Sequence, residues 1–98
     1  MDSEIFESLG AHPIQRGGTV YIPKDEALPC CLSLLSKNIR ILGIDAFKLS
    51  KQEIEPFLKH SSDYSDQQPS ENIIHDFFSK VPDTITHFEI VIDVDESI

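Results

Sequence analysis

Apolar positions recur along the chain with distinct periods, and each period predicts an element. Ile5, Phe6 and Leu9 share one helical face, Asp2 or Ser3 can cap it and Gly10 follows, predicting a short helix over residues 2–10. His12-Pro13 through Gly17-Gly18 reads as a loop with a glycine hinge. Thr19-Val20-Tyr21-Ile22, stopped by Pro23, reads as a short strand at a sheet edge. Leu28, Cys31, Leu32 and Leu35 fall at the i, i+3, i+4, i+7 spacing of a buried helical stripe. Pro29 fits only a first turn, so this helix is expected to start near Glu26 or later and to stop at Lys37 and Asn38.

Residues 39–49 are apolar on both alternations, with Leu42, Ile44 and Ala46 on one and Phe47 and Leu49 on the other. Such a run predicts a central strand, and Gly43 marks a bulge or a close backbone approach. Ser50-Lys51-Gln52-Glu53 has the form of a capping box, so a helical turn is expected there, limited by Pro56 and restarting through Phe57 and Leu58 towards His60. Residues 61–69 form a polar connector. A further helix is predicted over 70–80, with Ile73, Ile74, Phe77, Phe78 and Val81 on its core face and Pro82 as its stop. From Thr86 to Asp95 the alternation is clean: Phe88, Ile90, Ile92 and Val94 face one way, and His87, Glu89, Val91, Asp93 and Asp95 the other. That is a strand with one buried and one acidic face.

Together these elements predict a single domain over residues 1–98, an α+β or small α/β fold. It has about three strands in one sheet, with three to four helices packed mainly on one face. If the helices are crossovers, neighbouring strands run parallel.

Composition changes the picture chiefly through charge. The 98 residues carry 8 Lys and Arg against 17 Asp and Glu, a net charge of −9. Residues 1–49 hold 6 acids and 5 bases, whereas residues 50–98 hold 11 acids and 3 bases, so the acidity belongs to the second half. The acidity argues against nucleic acid as a direct ligand, because phosphate binding needs a basic footprint. No apolar run reaches the roughly 20 residues of a membrane span. The start, Met1-Asp2-Ser3-Glu4-Ile5, is acidic where a secretory leader would be basic, and predicts a cytoplasmic protein. Adjacent Cys30 and Cys31 read as reduced core thiols, since thiol redox sites and zinc ligands normally place two residues between cysteines.

Catalytic chemistry finds little support. His60, Asp63, His75 and His87 could hold a metal only if the fold converged them, and no two histidines sit at i, i+3 or i+4. The cysteines are flanked by leucines that belong in a core, and Gly17-Gly18 precedes a strand rather than a phosphate-binding helix. We therefore expect no enzyme, no cofactor and no metal. The informative feature is the polar face of the last strand, where Glu89, Asp93 and Asp95 repeat at short spacing. Asp63 and Asp66 on the connector, with Tyr64 between them, extend it. Such a face can simply be solvated and resist edge-to-edge pairing. It can also be an anionic dock for a basic protein, with tyrosine as an anchor.

Residues 39–65 carry a more specific pattern: Ile41-Leu42-Gly43-Ile44-Asp45-Ala46-Phe47, then Leu49, Ile54-Glu55-Pro56 and Ser62-Asp63-Tyr64-Ser65. This block resembles the central part of family forty of the bacterial polymorphic-toxin immunity proteins, small α+β proteins encoded beside toxin genes. The resemblance spans about a third of the chain and reaches towards Phe88-Glu89-Ile90-Val91. It implies a stoichiometric inhibitor that binds a cognate toxin domain and turns nothing over. Combined with the acidic second half, it points to a basic partner such as a nuclease, met by Asp63, Tyr64, Asp66, Glu89, Asp93 and Asp95. A small cytosolic regulatory or adaptor protein, with charge serving solubility alone, is the alternative.

Overall fold

The computed structural model describes residues 2–93. The elements run α1 (Asp2–Ser8), β1 (Ile14–Arg16), β2 (Thr19–Pro23), α2 (Lys24–Ser36), β3 (Arg40–Leu49), β4 (Ile54–Asp63), α3 (Glu71–Ser79) and β5 (His87–Asp93). Both early helices end on a left-handed residue. At α1, Gly10 has φ +90°, its N–H donates to Glu7 O, and Ala11 N–H reaches back to Phe6 O. At α2, Asn38 takes the same place with φ 59°, with Asn38 N–H bonded to Leu35 O and Ile39 N–H to Leu34 O. These paired bonds satisfy the carbonyls that a helix end leaves open.

α2 begins at Lys24, earlier than the sequence suggests, so Pro29 lies inside it. Pro29 and Asp25 are both exposed, so the Asp25 carbonyl that loses its helical donor can turn to water. The supposed loop at 12–18 contains β1: Arg16 pairs with Thr19 across Gly17 and Gly18, whose φ values of +57° and +97° make the tight turn of a hairpin.

The sheet has five strands in the order β1-β2-β5-β3-β4, all antiparallel to their neighbours. The general α+β class stands, but the expectations of about three strands and of parallel neighbours are corrected. One added strand is β1. The other is β4, where a helical restart is expected; Ser50 does cap a turn, but its Oγ accepts from Glu53 N at 3.2 Å while Ser50 N donates to Glu53 O at 3.0 Å. This closes the β3–β4 hairpin instead of opening a helix. α2 and α3 are crossovers all the same. β2 and β3, joined by α2, run parallel to each other with β5 inserted between them; β4 and β5, joined by α3, run parallel with β3 between.

β3 is internal, as its two-sided apolar pattern requires, and its register shifts against β5 between Ile41 and Gly43. A Cβ at Gly43 would lie 3.1 Å from the carbonyl oxygen of Ser62, a close approach that favours glycine. On the covered face Ile22, Ile41, Ile44, Ala46, Phe88 and Ile90 meet Ala27, Cys30, Cys31 and Leu34 of α2 and Ile74 of α3, with Phe6 of α1 in the same core. The rings of Phe78 and Phe88 meet edge-on with centroids 5.0 Å apart. α3 starts as its sequence predicts, with Ser70 Oγ accepting from Ile73 N at 3.2 Å. Among the described residues no helix is long and apolar enough to cross a membrane.

Candidate interaction face

Alternation along β5 buries Phe88, Ile90 and Ile92, so His87, Glu89, Val91 and Asp93 are carried to the other side of the sheet. The register then decides what they meet. Asp45 of β3 stands opposite Glu89, and Gly43 lies between Val91 on one side and Asp63 of β4 on the other. Asp45, Asp63, Gly43 and Val91 line a shallow depression of about 330 Å³. Asp93 is exposed and pairs in register with Arg40.

Beside the acids the same face is apolar. Tyr21 is 4% exposed and its ring meets that of Phe47 edge-on, centroids 5.1 Å apart. Phe47 pairs with Pro56, and Leu49 with Ile54, which is 42% exposed. His87 lies in register with Phe47, its Nδ1 2.7 Å from Thr86 Oγ1. Burial, with Arg16 as a secondary cause, holds His87 below the ordinary imidazole range and so favours its neutral form. The open face is therefore carboxylate-rich at one end and apolar at the other.

Of the residues singled out in sequence, Glu89, Asp63 and Asp93 share this face. Asp63 Oδ1 accepts from Ser65 N at 2.9 Å, a backbone bond that holds the carboxyl below its usual range and keeps it ionised. Tyr64 turns away, packing half-buried against the core on the helix side. Asp66 lies exposed on the connector beyond β4. Asp95 falls outside the described residues. Asp45 is the acid the sequence reading passes over, although its alternation with Ala46 and its sharing of a face with Phe47 marked the position.

The connector is set by Arg40. Its guanidinium donates to the carbonyl oxygens of Tyr64 at 2.7 Å, Ser65 at 3.0 Å and Ile41 at 3.1 Å, and to Gln68 Oε1 at 3.1 Å. Gln68 in turn bridges Ile41 N at 2.8 Å and Ile39 O at 2.9 Å. Nothing in the residue types around the two positions announces this contact.

The thiols are placed as core groups. Burial pushes Cys30 up to about 11 and Cys31 higher still, so neither offers a thiolate at neutral pH. His60 lies beside α3, whereas His87 sits on the open face. Comparison with family models, with curated proteins and with solved structures gives no match.

Proposed function

We propose that this chain is a non-enzymatic binding protein whose open sheet face docks a basic protein surface, and that the partner is a cognate bacterial toxin domain, neutralised one to one. The observation that carries the docking proposal is the row of carboxylates formed by Asp45, Asp63, Glu89 and Asp93 on the sheet face that no helix covers among the described residues. Leu49, Ile54 and Pro56 beside them supply apolar contact. An interface with a desolvated apolar part and a charged part gains affinity from the first and encounter rate from the second. The toxin identity rests on the resemblance of residues 39–65 to the immunity family. In this reading the inhibitor works in the cytoplasm, without cofactor or direct nucleic-acid contact. Its carboxylates stand in for phosphate when the toxin is a nuclease.

Co-expression with the product of the adjacent gene tests this. A stable complex that protects the host from that product, and that is lost in Asp45→Lys/Asp63→Lys, supports the proposal. A neighbour without toxicity, and no stable complex with it, overturns the toxin assignment in favour of an adaptor role.

A further inference from the structure

We propose that a second surface, the groove between the outer edge of β4 and α3, takes an extended segment of a partner polypeptide by strand addition. The segment places an apolar side chain against Ile73 and Phe77, with a carboxylate at one end and a basic residue at the other. β4 ends the strand order, so its outer edge has no strand neighbour among the described residues. Its ladder with β3 is interrupted: Ala46 pairs with Phe57 but Ile44 with Ser62, so Leu58 to Ser61 bulge out opposite Asp45. Bulges of this kind re-aim an edge strand and its side chains.

The groove beside the bulge is about 290 Å³ and is lined by Lys59, His60, Ser61, Ser62 and Tyr64 on the strand side. Lys59, His60 and Ser61 belong to the bulge, so successive residues reach this wall instead of alternating away from it. Across from it stand Ile73, Asp76, Phe77 and Lys80 of α3. α3 carries more apolar surface than the sheet uses: Ile74 is fully buried, whereas Ile73 is 50% exposed. A strand edge without a described partner strand, facing an apolar helix flank, is the geometry in which peptides bind as an added strand.

Charge selects the occupant. Lys59 makes no ion pair among the described residues, and Lys80 sits on the opposite wall with its Nζ 2.9 Å from Asp76 Oδ2. Asp76 lines the same wall and meets the charge of Lys80, so Lys59 is the cation that this end of the groove offers to a carboxylate. Beyond Tyr64 and Ile73 the groove continues into a depression of about 480 Å³ that includes Asp66. The charge therefore changes sign along its length. A segment with an apolar residue between a glutamate and a lysine matches both ends, whereas a uniformly basic or acidic one matches a single end.

The test uses the full chain and an end-blocked, fluorescein-labelled peptide, lysine-serine-leucine-valine-serine-glutamate, followed by anisotropy and by amide exchange. We expect saturable binding, slowed exchange of β4 amides from Lys59 onward, loss of binding in Ile73→Glu, and about tenfold weakening in Lys59→Glu, as for a contact turned repulsive. Both positions are at the surface, and far-ultraviolet circular dichroism verifies that the variants fold. Lys37→Glu, at the exposed end of α2, leaves peptide binding unchanged, which separates this groove from a general charge effect. No binding up to about 1 mM peptide, where affinity is only some −4 kcal/mol, overturns the proposal. So does binding indifferent to Ile73→Glu, or equal binding when lysine replaces the glutamate.

Discussion

Asp45 stands directly across from Glu89 in the β3–β5 register, so two acidic positions are neighbours on the uncovered face. Like charges in facing positions cost stability, and Asp45→Asn is expected to raise unfolding free energy by about 0.5 kcal/mol. Urea denaturation with an unchanged m-value would register the gain. The same substitution should slow association with a basic partner. A residue that costs the fold a little and serves an interface would show both effects together.

Removing Arg40 should have the opposite consequence for folding. Its half-buried guanidinium holds the carbonyls of Tyr64, Ser65 and Ile41, and no other side chain among the hydrogen bonds described reaches all three. Arg40→Met keeps the aliphatic stem but loses the donors. A cost of about 2 kcal/mol follows from hydrogen bonds to a charged group. Gln68→Ala should cost a similar amount, about 1–3 kcal/mol, because it orphans Ile41 N and Ile39 O. Since Arg40 and Gln68 are themselves bonded at 3.1 Å, the double variant should cost less than the sum.

The two thiols predict a pH dependence with a definite sign. Folding raises both pKa values above 9.0, Cys30 to about 11, chiefly through burial. The native state then keeps protons that the unfolded chain releases. Their contribution is full below about pH 9 and is lost as pH rises towards 11. Denaturation midpoints measured from pH 8 to 11 should fall, and Cys30→Ser/Cys31→Ser should flatten that fall. Native protein should resist alkylation at pH 8 while unfolded protein reacts at both thiols.

How much of this was legible in the sequence depends on how each element is buried. β3 and β5 stand out because one of their faces is covered, and burial writes itself as apolar alternation. α3 is readable from Ser70 and the Ile73-to-Phe78 run, although the sequence assigns Ile73 to the core and the fold leaves it half exposed. β4 is exposed along most of its length, so no burial pattern marks it, and the Ser50–Glu53 cap serves a hairpin as well as a helix. β1 spans three residues and is announced only by Gly17-Gly18. For the candidate face, alternation in β5 gives Glu89 and Asp93 at once. Joining them to Asp45 and Asp63 requires the register across three strands, and the Arg40–Gln68 contact spans 28 residues of chain.

In the proposed function, carboxylates on the open face steer a basic partner into place. The most direct test of this steering is the association rate constant with the purified partner, measured by stopped flow across a series of salt concentrations for the native chain and for Asp45→Lys/Asp63→Lys. For the native chain the rate should fall steeply with salt. The double variant should associate at least about tenfold more slowly at low salt, with a shallower slope and a smaller change in dissociation. Equal association rates and equal salt slopes for the two proteins would contradict it.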